Sequence, residues 1–176
     1  MSATNKKSDK QPVKPVKAGE SVKVGKPVKI GKTIKVGRNR RKSRELALKG
    51  IYRNFMNQSE LPQIERDMTD DPDFARADED YFRQLLEGVS KNMAELDGRL
   101  AHFADRKMAG LSPIEHAILC ISAYELIYDP SIPYRVAINE GVELAKLYGG
   151  TDGHKYVNGV LDKLAAEVRP NEFKRK

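Results

Sequence analysis

The 176-residue chain has one cysteine, three histidines and no tryptophan, and aromatic residues make up only 7% of it. A single thiol, Cys120, can close no internal disulfide and hold no zinc by itself, a usage that suits a reducing cytoplasm. His102, His116 and His154 are scattered along the chain, so their spacing predicts no dedicated metal site, and neither a metal nor a cofactor is expected. No apolar run reaches the roughly 18 residues of a membrane-spanning helix. The first stretch of about 30 residues lacks the apolar segment of a secretory signal, so a cytoplasmic location is expected. No glycine-rich phosphate loop follows a strand, and no alternating strand pattern of useful length occurs outside the N-terminal tail.

Charge is present in quantity but unevenly distributed. The net charge of +7 hides a split: residues 1–44 carry 15 Lys/Arg against Asp9 and Glu20, a net +13, whereas residues 45–176 carry 17 against 23, a net −6. The chain is a basic tail on a mildly acidic body, and a body of this size is typical of one domain with a real core. Within residues 1–37 a hexad recurs: Val16-Lys17-Ala18-Gly19, Val22-Lys23-Val24-Gly25, Val28-Lys29-Ile30-Gly31 and Ile34-Lys35-Val36-Gly37. Four hexads supply too little apolar surface to offset ordering entropy, so this tail is predicted to be disordered. Two roles fit it: a polycation that attracts nucleic acid by counterion release, or a solubilising extension without a specific target.

Arginine then replaces lysine in Arg38-Asn39-Arg40-Arg41-Lys42-Ser43-Arg44. Guanidinium groups pair with phosphate bidentately and stack on bases. Cations at a helix N-terminus oppose the macrodipole by about 0.3–1 kcal/mol each, a cost that a bound phosphate would reverse. The run therefore reads as a nucleic-acid contact, with a solvated leader as the plainer alternative.

The body reads as helix throughout. Leu48, Ile51, Tyr52, Phe55 and Met56 form a 3.6-residue stripe, with Ser43 as the expected N-cap. A short helix is expected near residues 61–69. Asp78 is placed to cap a helix whose apolar face is Tyr81, Phe82, Leu85, Leu86 and Val89, and Met93, Leu96, Leu100 and Phe103 continue the pattern. Ser112, Pro113 and Glu115 spell a capping box with proline at the first helical position. That helix runs through Ile118, Ile121 and Tyr124 and stops at Asp129-Pro130. Pro133 opens a helix with Val136, Ala137, Val142, Leu144, Ala145 and Leu147 inward, closed by Gly149-Gly150. Thr151 or Asp152 is expected to cap the last helix, with Tyr156, Val157, Val160, Leu161 and Leu164 inward, ending at Arg169-Pro170.

Catalytic patterns are thin. Glu140 and Glu143, one turn apart near Asn139, read as a solvated face, His116 as a surface histidine and Cys120 as core. Binding has more support. Asp152-Gly153-His154-Lys155-Tyr156 stands at a helix N-terminus, whose free amides can hold phosphate. Lys155 adds charge, and Tyr156 could stack on an unpaired base for about 1–3 kcal/mol. The alternative is that Tyr156 is core and Asp152 only a cap.

Several of these stretches resemble the NusB family of bacterial transcription antitermination factors. They are Ser112-Pro113-Ile114-Glu115-His116-Ala117-Ile118-Leu119 with Ala123-Tyr124-Glu125-Leu126; Ile132-Pro133-Tyr134-Arg135-Val136-Ala137-Ile138-Asn139-Glu140 with Glu143-Leu144-Ala145-Lys146; and His154-Lys155-Tyr156-Val157-Asn158-Gly159-Val160-Leu161-Asp162-Lys163. The opening Arg40-Arg41-Lys42-Ser43-Arg44-Glu45-Leu46-Ala47 and the middle Tyr81-Phe82-Arg83-Gln84-Leu85-Leu86-Glu87-Gly88-Val89 fit as well, in the right order over about residues 38–171. Residues 1–37 lie outside the match, and residues 172–176 form a basic C-terminal end.

The resemblance implies an all-α fold, a compact domain of two helical sub-bundles, with no enzymatic activity. It implies binding of boxA RNA in ribosomal-RNA transcripts together with NusE, a small-subunit ribosomal protein, within an RNA polymerase antitermination complex. A homodimer in the absence of NusE is also compatible with it. Carried onto this chain, the RNA contacts are Arg38, Arg40, Arg41, Lys42, Arg44, Asp152, Lys155 and Tyr156. Partner contacts fall to Glu115, Tyr52 and Glu125. Cys120 stands where the family can carry a basic residue, and Tyr156 where phenylalanine is common. Two other classes compete. One is an RNA methyltransferase fronted by a NusB-like domain, for which the residues after 171 are too few to form the methyltransferase domain. The other is a helical interaction module whose tail binds nucleic acid without specificity.

Overall fold

The computed structural model describes residues 39–105 and 110–173. Eight α-helices occur among the described residues: α1 (Arg40–Asn57), α2 (Leu61–Thr69), α3 (Glu79–Lys91), α4 (Met93–Ala101), α5 (Pro113–Tyr128), α6 (Tyr134–Tyr148), α7 (Gly153–Val168) and α8 (Pro170–Phe173). A 3₁₀ turn covers Phe74–Arg76, and an isolated bridge joins Asn39 to Ala77, with no strand among the described residues. The fold is all-α, as expected. The hexad tail and Arg38 lie outside the described residues.

Helix α5 is the hub. It packs on α1 and α3, which contact each other and α2, and also on α4, α6 and α7. Its sequence explains this position, because Ala117 through Ala123 are all buried, so the helix is enclosed on every side rather than along one stripe. Gly88 of α3 lets the Tyr124 ring lie directly on its backbone; a Cβ there would collide with the ring. Around this hub the buried Tyr81, Phe82, Leu85, Leu86 and Val89 of α3 match the expected face. Full burial of a side chain such as Phe82 contributes roughly 1.5–3 kcal/mol.

The ends of α5 are held differently. Ser112 Oγ accepts from the Glu115 amide at 3.3 Å, as a cap should. The box is not completed, because the Glu115 carboxylate turns toward Gly153 of α7 instead of back to Ser112. At the C-terminus, Arg169 reaches across from the end of α7. Its Nε donates to Leu126 O at 2.6 Å, and Nη2 to Glu125 O at 3.1 Å and Asp129 O at 2.8 Å. Pro130 has no N–H to give Leu126 O, so the guanidinium supplies that missing donor, and it adds second bonds to Glu125 O and Asp129 O, which already accept from the Asp129 and Ile132 amides.

Three local expectations differ from the structure. Asn39, not Ser43, caps α1: its Oδ1 accepts from the Lys42 amide at 3.1 Å, while Ser43 is buried and its Oγ donates to Asp78 O at 2.7 Å. The buried face of α1 is Leu46, Ala47, Leu48 and Ile51, leaving Tyr52 and Met56 exposed. On α6, Val136 and Leu147 are exposed, and Ala137, Ile138, Gly141, Leu144 and Ala145 pack inward. In both helices a period-3.6 pattern admits more than one apolar arc, and the neighbouring helices select one.

Candidate nucleic-acid interface

Because α1 begins at Arg40, its basic residues belong to a helix and project in different directions. Arg40 and Arg41 remain about half exposed. Arg40 lies over the Tyr81 ring, 4.7 Å from its centroid, with Nε 3.9 Å from Asp78 Oδ2. Arg41 Nη2 is 3.8 Å from Glu143 Oε2 on α6. Ion pairs this long and this wet hold their partners weakly, about 0–1 kcal/mol, so a phosphate can displace the carboxylates. Lys42 is more committed. Its Nζ sits 2.5 Å from Glu45 Oε2 and 3.1 Å from Asp73 Oδ2, and the bond to Glu45 chiefly raises its pKa against the opposing effect of burial.

Arg44 corrects the expectation of an RNA contact. Its side chain is 4% exposed, and Nε donates to Glu125 Oε1 at 2.8 Å and Nη2 to the Tyr81 hydroxyl at 3.1 Å. The Tyr81 hydroxyl also donates to Glu125 Oε1. A guanidinium enclosed this way offers no face to a transcript. Glu125 is likewise 0% exposed, which withdraws it from the partner-contact set. Burial pushes the Glu125 carboxyl up to about 7, with the Arg44 charge opposing and Asp129 and Glu140 adding to the rise. Glu140, expected on a solvated face, points Oε2 at Arg44 Nη1, 3.7 Å away.

The second group of residues gathers at the start of α7. Asp152 occupies the cap position, but its carboxylate makes no cap bond and instead pairs with Lys155 Nζ at 2.9 Å. Both side chains are about three-quarters exposed. Tyr156 is half-buried and packs against the core. Together with Glu115 and Gly150 to Gly153 it lines a cavity of about 180 Å³. Gly153 is the residue that permits this closeness, because a Cβ would strike Glu115 Oε1.

Contacts along α1 connect the two groups. Arg41 meets Glu143 of α6, Lys49 lies within electrostatic reach of Tyr148 at the end of α6, and Phe55 stacks on His116 with ring centroids 4.6 Å apart. His116 adjoins Glu115, which rests on Gly153. Helix α1 therefore runs from the arginines toward the start of α7. At 1.5 Å per residue, Arg41 and Phe55 are about 21 Å apart. Tyr52 projects from this helix at 38% exposure.

Two other residues read as bland in the sequence take specific places. His116 is half-buried, its Nε2 2.6 Å from Asp97 Oδ1. Cys120 is buried, and desolvation followed by the Asp97 charge pushes its thiol well above the ordinary range, which disfavours a nucleophilic thiolate.

The described residues define an all-α domain with a cationic first helix. Its sequence shows where it stands among known proteins. The NusB family model matches residues 41–166. The chain is 72% identical over 137 residues to the transcription antitermination protein NusB of Methylobacillus flagellatus, covering 78% of this chain and 89% of that protein. It is 53% identical over 135 residues to NusB of Thiobacillus denitrificans, covering 77% and 93%. A solved NusB from T. maritima superimposes with a TM-score of 0.68 at 27% identity, covering 78% of this chain and 99% of the other. A NusB–NusE complex with double-stranded RNA shares the fold, with a TM-score of 0.64 at 20% identity over 73% and 96% of the chains. The chain belongs to the NusB family, a family of transcription antitermination factors and not of enzymes.

Proposed function

We propose that this chain binds boxA RNA of ribosomal-RNA transcripts together with NusE, and that the pair joins an RNA polymerase antitermination complex that keeps ribosomal-RNA synthesis processive. The observation that carries this reading is the pair Arg40 and Arg41, half exposed and weakly partnered at the end of a helix that leads to Lys155 and Tyr156. Phosphate contacts at the arginines position the strand, and the half-buried Tyr156 beside the α7 amides supplies a stacking face for an unpaired base. A solved NusB relative occurs in complex with NusE and RNA, which supports both partners. Glu115 and Tyr52 are the remaining partner-facing residues in this proposal.

The test is a titration with boxA and scrambled RNA, each with and without NusE. Preference for boxA, improved by NusE and weakened when Arg40 and Arg41 are replaced, is the expected result. Equal affinity for both RNAs would instead favour an interaction module with a non-specific basic tail.

A further inference from the structure

Two pairs of side chains, each spanning one helical turn, meet where α4 packs on α5. Met93 and Asp97 are four residues apart on α4, and His116 and Cys120 are four apart on α5, so each pair shares a face. Packing closes them into one cluster. His116 Nε2 is 2.6 Å from Asp97 Oδ1, and Cys120 Sγ is 3.6 Å from the same oxygen and 3.7 Å from Met93 Sδ. The ligand atoms of Asp97, His116 and Cys120 all lie within 4.8 Å of one another. We propose that Asp97, His116 and Cys120 form a three-ligand site for a zinc-class divalent ion that staples α4 to α5.

Donor chemistry selects the ion. A thiolate and an imidazole beside one carboxylate suit zinc and exclude magnesium and calcium, which need oxygen cages. Zinc–ligand bonds of about 2.0–2.3 Å place tetrahedral donors about 3.3–3.6 Å apart. The sulfur–oxygen separation already fits. The nitrogen–oxygen separation reflects a hydrogen bond that the ion replaces, opening it by about 0.7 Å. The Phe55 ring stacked on His116 holds the imidazole plane. Cys120 forms the closed inner end, while the His116 and Asp97 side chains are 18% and 35% exposed, giving the ion an entry and a water the fourth position. On binding, the Cys120 Sγ–H bond breaks, its proton passes to solvent, and the thiolate pair bonds the metal; His116 donates the Nε2 lone pair.

The full chain, reduced and stripped of metal, is titrated with cobalt(II) as the spectroscopic stand-in. Cys120 is the only thiol, so a thiolate-to-cobalt charge-transfer band reports this site alone. The expected result is a tetrahedral cobalt spectrum that saturates at one equivalent, is displaced by zinc, and accompanies a zinc-dependent rise in melting temperature. Cys120→Ala abolishes the band. His116→Gln and Asp97→Asn, at the solvent side of the cluster, leave the helical circular dichroism intact and weaken cobalt binding by at least the roughly 10–100-fold that loss of an outer-shell partner costs. No band in excess cobalt overturns the proposal, leaving His116 and Asp97 as a hydrogen-bonded pair over a core thiol. A band untouched by both His116→Gln and Asp97→Asn overturns it equally, because the thiol alone would then be binding.

Discussion

Arg44 and Glu125 lie 81 residues apart in the chain and share a hydrogen-bonded ion pair of 2.8 Å with almost no solvent contact. The pair ties the second turn of α1 to the last turn of α5, and it divides a run of basic residues that looks uniform in sequence. Arg40 and Arg41 face outward, and Arg44 faces in. Glu125 Oε1 takes bonds from both Arg44 and Tyr81, whereas Oε2 is buried without a hydrogen bond.

This division separates RNA affinity from stability. Arg44→Ala leaves the buried Glu125 carboxyl without its partner and should destabilise the fold by about 1–3 kcal/mol, the carboxyl taking up a proton in place of the lost charge. Arg41→Ala should change stability by no more than about 1 kcal/mol and weaken RNA binding. It should also lower the salt dependence of single-stranded RNA binding by about 0.7 in the log–log slope, the share of one phosphate contact. Chemical denaturation and salt-dependent RNA titrations of the two variants check this; equal stability losses would count against it.

Glu125 also makes stability depend on pH. Its carboxyl is raised to about 7 in the folded protein from an ordinary value of 4.5, chiefly by burial. The folded state therefore holds the proton more tightly than the unfolded chain. The contribution is fully present below about pH 4.5 and is lost as pH rises through about 7. Melting temperature should accordingly fall between pH 5 and 8 more steeply in the native protein than in Glu125→Gln, which keeps the shape and cannot titrate. Parallel profiles would refute the assignment.

Asp152 sits beside the proposed RNA path with its carboxylate on Lys155 Nζ and no capping role. Asp152→Asn removes a negative charge near phosphate and frees the lysine without costing a cap. RNA binding at fixed salt should tighten, by up to about fivefold for a surface charge contact worth at most ~1 kcal/mol. Equal or weaker retention in a filter assay would argue the other way.

Residues 1–37 concentrate positive charge without resembling the family. If they add unspecific affinity, deleting them should flatten the salt dependence of RNA binding while the boxA preference survives. An unchanged slope would remove the hexads from any RNA role.

Local chemistry in the sequence was enough to determine much of the protein. Ser112-Pro113 starts α5, Asp78 caps α3 through the Tyr81 amide at 3.2 Å, the α3 stripe is buried as its period dictates, and so are Val157, Val160, Leu161 and Leu164 of α7. Each of these depends on interactions within about one turn of chain, so neighbouring residue types suffice to specify it. The family motifs were legible for a similar reason, as contiguous strings.

What the tertiary structure alone decided is which way equivalent residues face. Nothing near Arg44 distinguishes it from Arg41, because Glu125 is on another helix. Nothing in the spacing of three histidines brings Asp97 to His116 and Cys120, because α4 and α5 supply one side each. The Glu115 carboxylate left its capping box for Gly153 for the same reason. Helix periodicity fixes angles about each axis only relative to one another. The absolute orientation comes from long-range packing, where a buried charge must find its partner or forfeit its hydration.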